Sequence, residues 1–254
     1  MAVETSEQNA SQFLIKILSY IGAHKGAAEP LYDFFSENQA KLDDRLLQTI
    51  PLTIPALINQ LPETQKQPIA SALITFGRLI QNFSAAYQEI NIELAIAAYL
   101  TALQIYDNAI SPNTWALVQS NLGSAYYARI REDPAENLEQ AIHCLKQALT
   151  VYSREEFPIE WARVQNTLGS AYSDRIQHNR AENLELAIAA YQQALTIRTH
   201  QAFPIEWATT QLNIGSLYSE RIHGDRTQNL ELAINTLQQA LQVLGKVATS
   251  LQWA

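Results

Sequence analysis

A repeat of 46 residues runs through most of this 254-residue chain. All four tryptophans lie on it, since successive ones differ by the same step (161 − 115 = 46): Trp115, Trp161, Trp207 and Trp253. The same step links Gly77, Gly123, Gly169 and Gly215, and also Asn91, Asn137, Asn183 and Asn229. A fixed period of roughly 20–50 residues is typical of solenoids, whose stacked units bury one another's apolar faces. The repeat therefore predicts one continuous array.

Each repeat has the pattern of two helices, as its third copy shows. After Pro158, apolar residues recur at three- and four-residue steps, which predicts an amphipathic helix: Trp161, Val164, Leu168, Ala171, Tyr172 and Ile176. Gly169 lies inside this face, where a glycine costs about 0.5–1 kcal/mol relative to alanine. We therefore expect it to allow close approach of the partner helix. Asn183 is the predicted N-cap of the second helix, whose stripe is Leu184, Ala187, Ile188, Tyr191, Ala194 and Leu195.

The predicted fold is all-α, a right-handed α–α solenoid of about four helix-turn-helix repeats near 67–106, 113–152, 159–198 and 205–245. Residues 1–10 are predicted to be a flexible N-terminus, and 11–62 an N-terminal helical cap whose last helix is broken by Pro51. The solenoid then occupies 63–254. Residues 250–254 match the start of a fifth repeat, and this predicts either self-association through an uncapped apolar end or a chain cut from a longer protein.

The composition argues against several classes of partner. A net charge of −8 and a pI near 5.1 are unfavourable for binding nucleic acid or an anionic membrane. Cys144 is the one cysteine, so an intramolecular disulfide is excluded and a reducing, cytoplasmic location is favoured. The five histidines are scattered and the recurrent glycines lie inside predicted helices, so no metal, cofactor or enzymatic activity is predicted.

The motif Leu168-Gly169 with Tyr172, followed by Ala187, Tyr191 and Ala194, resembles the tetratricopeptide repeat. The period of 46 differs from that family's usual length of about 34. The tryptophan also comes one turn early, and the usual tryptophan place holds Gln119, Gln165 and Gln211. The longer pattern of the repeat, NLGSAYxxRI…ENLExAIxxxxQALT…FPIEWA, is similar to repeats of bacterial proteins that carry a C-terminal caspase-like CHAT protease domain. No residues remain here for such a protease.

The resemblance implies a groove lined by the first helices that holds a peptide. In some members an asparagine before the Leu-Gly pair binds the ligand backbone, and Asn121 and Asn213 match that place, with Thr167 between them. An amide can read a peptide bond because it both donates and accepts hydrogen bonds. Nearby positions on the predicted face are Ser124, Tyr127, Arg163, Ser170, Ser173, Thr209, Ser216 and Ser219. The alternative is a hydrated polar face that binds nothing in particular.

Charged residues also recur, at the predicted helix ends: Arg129, Arg175 and Arg221, and Glu93, Glu139, Glu185 and Glu231. The arginines could form a ladder for acidic or phosphorylated ligands. Alternatively, each arginine complements a helix C-terminus and pairs with a glutamate across the turn, and the regular recurrence favours this structural role.

The leading functional hypothesis is a non-catalytic scaffold that binds a protein or peptide segment in the groove. The alternative is a regulatory part of a caspase-like protease system whose catalytic domain is absent from this chain. A third hypothesis is a structural array that self-assembles through its uncapped end.

Overall fold

A computed structural model describes residues 2–251, and in that range the chain is all-α, as predicted. Adjacent helices pack in pairs, the arrangement of an α–α solenoid. The helices are α1 Ala2–Ala23, α2 Ala28–Glu37, α3 Asp44–Ile58, α4 Glu63–Gln81, α5 Gln88–Ala102, α6 Pro112–Tyr127, α7 Pro134–Leu149, α8 Pro158–Asp174, α9 Arg180–Leu195, α10 Pro204–Glu220 and α11 Arg226–Leu251. Short 3-10 turns cover Gln39–Lys41 and Ala85–Tyr87.

The chain forms two compact units, Met1–Pro134 and Ala135–Ala254. In the first unit, α1 packs against α3 and α4, and α3 packs against α5, so the N-terminal helices contact the first repeat directly. In the second unit, α8 pairs with α9, α10 pairs with α11, and α10 also packs against α9. Trp253, on which the predicted fifth repeat start depends, lies outside the described residues.

The N-terminal region is more helical than the sequence pattern indicates. Helix α1 begins at Ala2, where a flexible segment was predicted, because Ala2–Ala10 holds good helix formers and neither glycine nor proline. Helix α3 continues through Pro51 and Pro55, so the predicted break at Pro51 is wrong. An interior proline costs about 3 kcal/mol. Buried isoleucines on α3 contribute about 1.5–3 kcal/mol each and offset that cost: Ile50, Ile54 and Ile58.

Helix boundaries within the repeats also differ from the prediction. The first helix of the third repeat ends at Asp174, and Ile176, predicted on its apolar face, is 64% exposed in the following turn. The second helix begins at Arg180, three residues earlier than predicted. Asn179 is its N-cap, with its side chain accepting from the N–H groups of Ala181 and Glu182. The prediction of Asn183 as N-cap is therefore wrong.

Three of the four recurrent asparagines instead form hydrogen bonds to the turn between the two helices. All four are buried within the first turn of the second helix or close to it. The side-chain amide donates back to a turn carbonyl: Asn91 to Phe83 (2.8 Å), Asn183 to Gln177 (2.8 Å) and Asn229 to His223 (2.9 Å).

Each of these turns in the later repeats contains one residue in the left-handed region. These residues are again 46 positions apart: Glu132 (φ 66°), His178 (φ 67°) and Gly224 (φ 84°). This region costs a residue with a Cβ about 1–2 kcal/mol, whereas glycine adopts it without that cost. The Asn183 and Asn229 amides hold the neighbouring carbonyl in the same turn and so help to maintain this conformation.

Close approach at the recurrent glycines is confirmed for three of the four. A Cβ built on Gly77 would lie 2.6 Å from the Tyr99 ring, and one on Gly169 would lie 2.8 Å from the Tyr191 ring. At Gly215 the nearest atom is Leu237 Cγ, at 2.6 Å. The partner helix therefore packs a large side chain into the space that the missing Cβ leaves.

Candidate functional site

The eight residues predicted to bind a peptide lie on three helices. Asn121 and Ser124 lie on α6, with Tyr127 as its last residue, in the first unit. The other five lie in the second unit, on α8 and α10: Arg163, Thr167, Ser170, Asn213 and Ser216. The structure therefore brings together five of the predicted residues in one compact unit.

Helices α8 and α10 are joined directly by a polar contact. The buried Thr210 hydroxyl donates to the Asn166 side-chain oxygen at 2.8 Å. On α8, Arg163, Thr167 and Ser170 follow steps of four and three residues, which place side chains on one helix face. On α10 the equivalent positions are Thr209, Asn213 and Ser216. Equivalent positions on the two helices therefore carry polar side chains, most of which are neutral.

Several hydroxyls on these faces already donate within their own helices. Thr167 donates to the Arg163 carbonyl at 3.2 Å and Thr209 to the Ile205 carbonyl at 2.9 Å. On α6, Ser124 donates to the Ser120 carbonyl at 3.0 Å. A hydroxyl bound in this way retains acceptor capacity. These residues can therefore accept hydrogen bonds from a ligand without leaving a helix carbonyl unsatisfied.

Asn213 and Ser170 converge on the hydroxyl of Tyr191, which sequence reasoning placed only in the core. The Ser170 and Tyr191 hydroxyls lie 2.9 Å apart. Burial raises the pKa of Tyr191, while hydrogen bonding to Ser170 and to Asn213 acts in the opposite direction. Asn213 therefore lies at the boundary between the α9–α10 packing and the polar face.

On α6 the predicted residues differ in accessibility. Tyr127 is exposed, whereas Asn121 and Ser124 are half-buried. The spacing of Asn121 and Ser124 places both on one face of α6. Within the first unit, α6 packs against α5 and α4.

At Arg198 the third repeat departs from the two copies before it. This arginine takes the repeat position that tyrosine occupies in the two preceding copies (198 − 46 = 152), and both Tyr106 and Tyr152 are buried. Burial lowers the pKa of Arg198, Glu206 opposes that change, and the positive charge of Arg163 adds to it. Comparing the copies position by position would have identified this replacement of tyrosine by arginine.

The recurrent arginines form ion pairs between consecutive repeats. Each guanidinium binds both carboxylate oxygens of a glutamate 36 residues earlier: Arg129 with Glu93 (2.8 Å), Arg175 with Glu139 (2.6 Å) and Arg221 with Glu185 (2.7 Å). The predicted pairing across the turn of one repeat is therefore wrong, because stacking brings the preceding repeat closer. The structural interpretation is supported, since these guanidinium groups already hold carboxylates.

The ion pairs shift the titration of their members. A hydrogen bond from Arg175 lowers the pKa of Glu139, and one from Arg221 lowers the pKa of Glu185. Two further arginines donate hydrogen bonds to carbonyl groups in the last turns of α8 and α10. Arg180 donates to the Ser173 carbonyl, and Arg226 donates to the Ser219 carbonyl at 2.6 Å.

Within residues 2–251, no group of three or more potential metal-ligating side chains was found, and no helix is long and apolar enough to cross a membrane. Cys144 is buried, and burial raises the pKa of its thiol to about 12, which makes the reactive thiolate scarce at neutral pH.

No protein-family model matches this chain, and no curated protein matches its sequence. The chain is similar in structure to BtubC (BKLC) from P. vanneervenii, whose crystal structure aligns with a TM-score of 0.58. That alignment covers 98% of this chain and 93% of BtubC at 16% sequence identity. At this identity the likeness shows the fold alone, a solenoid-like arrangement of helical repeats.

Proposed function

We propose that the protein is a non-catalytic scaffold that binds a peptide or protein segment along the polar faces of its first helices. The observation that supports this most is the shared register of α8 and α10, in which Thr167 and Ser170 match Asn213 and Ser216. The resemblance to tetratricopeptide repeats belongs to the same proposal, as does the cytoplasmic location that the single cysteine favours. The alternative proposal, from the resemblance to CHAT-associated repeats, is a regulatory part of a caspase-like protease system whose catalytic domain is absent from this chain.

The chemistry of the faces indicates how such a segment is recognised. Amide and hydroxyl groups predominate on α8 and α10, and Arg163 supplies a positive charge near one end. Neutral groups that donate and accept hydrogen bonds suit a peptide backbone, because each peptide unit offers one N–H and one C=O. We therefore expect affinity to depend more on backbone contacts than on the charge of the bound segment.

The test compares the full chain with an Asn121→Ala/Asn213→Ala variant. A displayed peptide library selects ligands for the full chain, and fluorescence anisotropy then measures their Kd values. Loss of two backbone-binding amides is expected to weaken binding by about tenfold or more. The Gln193→Ala variant is the matched control, because it removes an exposed amide from α9. Equal affinity in all three proteins would contradict the proposal.

Because Asn213 also contacts the Tyr191 hydroxyl, thermal unfolding is measured in parallel. The single variant Asn121→Ala separates the two effects, since its position lies outside that contact. Weaker binding by Asn121→Ala at an unchanged melting temperature would support a role in recognition. Weaker binding that always accompanies a lower melting temperature would indicate a packing role instead.

A second candidate function, self-association, is favoured by an apolar stripe on α11. The stripe consists of Leu230, Ile234, Leu237 and Leu241, which follow the spacing of a coiled-coil seam. Leu230, Ile234 and Leu241 are 38%, 57% and 60% exposed. Uncharged side chains border most of it, including Asn235, Gln238 and Gln242, and the exposed Glu231 borders its first residue. A second copy of the chain, packed through the same stripe about a twofold axis, fits this self-complementary surface.

Sedimentation of the full chain over a range of concentrations tests self-association. We expect a dimer that dissociates in the Ile234→Glu/Leu241→Glu variant, because the seam would then bury unpaired charges. The control, Ile110→Glu, changes an exposed isoleucine in the first unit and is expected to leave the dimer intact. A monomer at all concentrations would contradict this candidate function and leave peptide binding unaffected.

A further inference from the structure

A cleft of about 500 Å³ lies within the first unit, separate from the faces discussed above. Helix α1 forms one wall with Asn9, Gln12 and Lys16. The segment that leads into α3, together with the first turn of α3, forms the other wall, whose charged residues are Lys41, Asp43 and Arg45. Ala10 and Ala40 add apolar surface, and Phe13 lines the cleft with most of its ring buried. The Ser11 and Thr53 hydroxyls, 2.9 Å apart, join α1 to α3 next to this cleft.

Two lysines of the cleft are positioned by aromatic rings. The Lys41 ammonium lies 5.2 Å from the centroid of the Phe13 ring, and the Lys16 ammonium lies 5.3 Å from that of Phe34. The two rings are themselves stacked, with centroids 6.0 Å apart. Cation–π contacts of this kind hold an ammonium in place without neutralising its charge. Each ring of the stacked pair therefore has one lysine ammonium group close to it.

The carboxylate in the cleft is already bound to other groups. One oxygen of Asp43 accepts from the backbone N–H groups of Arg45 and Leu46 and so caps α3. Its other oxygen accepts from the Arg45 guanidinium at 3.0 Å. Within the described part of the chain, neither Lys16 nor Lys41 forms an ion pair with a carboxylate. The cleft is thus a positively charged site in a chain of net charge −8.

The shape of the cleft distinguishes between kinds of ligand. Its volume lies within the usual range for ligand sites, about 300–1,000 Å³. Small-molecule sites, however, bury most of their ligand, whereas the residues that line this cleft are mostly exposed, including both lysines. An open cleft of this kind suits side chains that project from a larger partner.

We propose that this cleft binds a peptide segment in which an acidic side chain, a carboxylate or a phosphate, lies next to an apolar one. The anion lies at the Lys16 and Lys41 ammonium groups, where charge-assisted hydrogen bonds form. The apolar side chain packs on Ala10, Ala40 and the small exposed part of Phe13, and the Asn9 and Gln12 amides can bind the peptide backbone. Carboxylate and phosphate share this chemistry, so the experiment has to separate them.

Fluorescence anisotropy of the full chain with labelled nonapeptides tests the proposal. The three probes have a central phenylalanine followed by two glutamates, by two phosphoserines or by two glutamines. We expect the glutamate or the phosphoserine peptide to bind at least about tenfold more tightly than the glutamine peptide, with affinity that falls as salt rises. The tighter of the two anionic probes identifies the source of the anion.

Two double variants locate the binding site. Lys16→Gln/Lys41→Gln is expected to remove the preference for the anionic peptides. Lys25→Gln/Lys66→Gln makes the same change in net charge elsewhere in the first unit and is expected to alter Kd less than about twofold. The single variant Lys41→Gln, with one lysine retained, should give an intermediate affinity, and melting temperatures check that all variants fold.

Three results would overturn the proposal. One is equal affinity for all three peptides, and another is equal weakening by the two double variants. The third is binding of inorganic phosphate that no peptide displaces, which would indicate a small-anion site. Each result leaves the function proposed for α8 and α10 untouched, because the cleft shares no residue with those helices.

Discussion

Helices α9 and α11 occupy equivalent places in consecutive repeats, yet their apolar stripes have different surroundings. On α9 the residues Leu184, Ile188 and Tyr191 are buried, and α10 packs against this helix. On α11 the equivalent positions (184 + 46 = 230, 188 + 46 = 234) are Leu230 and Ile234, which are exposed. The repeat sequence therefore specifies an apolar stripe in each second helix, whereas burial of that stripe depends on a neighbouring helix.

The largest expected effect is on stability, from truncating the stripe on either helix. Ile188→Ala should lower the free energy of unfolding by about 2–5 kcal/mol, because it leaves a cavity between packed helices. Ile234→Ala should change it by less than about 0.5 kcal/mol in the monomer, because the side chain is solvated. Urea unfolding at low protein concentration measures both. Equal losses would mean that α11 is covered in solution.

The next largest loss of stability is expected from adding a Cβ at the glycines where the paired helices approach closely. Gly169→Ala should cost about 1–3 kcal/mol, because its Cβ meets the Tyr191 ring, whose hydroxyl is held by Ser170. Gly215→Ala should cost less, because Leu237 on α11 is half-buried and can rotate.

The control for these glycine variants is Gly245→Ala on α11, where no atom lies within 4 Å of the new Cβ. It should raise the free energy of unfolding by about 0.5–1 kcal/mol, the usual gain from replacing a glycine inside a helix. Thermal unfolding gives all three values. A larger loss for Gly215→Ala than for Gly169→Ala would contradict the ranking.

A smaller difference in stability is expected between variants of the equivalent glutamates on α9 and α11. Glu185 on α9 binds Arg221, and this ion pair lowers the pKa of Glu185. Its equivalent on α11, Glu231, is exposed and forms no ion pair among the described residues. We expect Glu185→Gln to cost about 0.5–1 kcal/mol at pH 7 and Glu231→Gln to be nearly neutral.

The pH dependence of the Glu185→Gln effect provides a further check. A glutamate whose pKa is lowered in the folded state contributes stability that is present above its unfolded pKa, about 4.3. That contribution is lost as the pH falls through the lowered folded pKa. The difference between wild type and Glu185→Gln should therefore shrink in urea unfolding at acidic pH. A difference that persists at pH 2 would show that packing, rather than charge, is responsible.

Effects of about 1 kcal/mol or less are also expected in the turns that precede α9 and α11. His178 adopts the left-handed conformation before α9, whereas Gly224 adopts it before α11. His178→Gly should stabilise the fold by about 0.5 kcal/mol, because relief of the Cβ strain exceeds the extra entropy of glycine. Gly224→Ala should destabilise it by about 1 kcal/mol. A loss of melting temperature in His178→Gly would show that the imidazole makes a contact that outweighs the strain.

The sequence predicts those features of this fold that depend on a recurring residue type and its helix spacing. The close approach at Gly169 follows from recurrence of a costly residue, and the structure confirms it. Recurrence alone does not distinguish an N-cap asparagine from one that binds a turn carbonyl, so Asn183 was assigned incorrectly. The partner of Arg175 depends on how repeats stack, a long-range property that the spacing within one repeat does not contain.

In the candidate site, too, the sequence predicts what depends on helix spacing and does not predict what depends on packing between helices. Spacing places Thr167 and Ser170 on one face of α8, as the i, i+3 rule requires. The contact of Asn213 with the Tyr191 hydroxyl depends on packing between three helices, and no motif encodes it. The cleft beside Lys16 and Lys41 was also missed, because its walls come from segments outside the repeat.

The spacing of 36 residues between each paired glutamate and arginine bears on how such a chain can lengthen. A middle repeat supplies an arginine to the copy before it and a glutamate to the copy after it. If gene duplication inserted one whole repeat, the inserted copy would meet a complementary charge on both sides without any further mutation. Insertion of any other length would shift these residues out of alignment and leave a guanidinium beside the wrong neighbour. Growth in complete 46-residue steps therefore preserves the junctions.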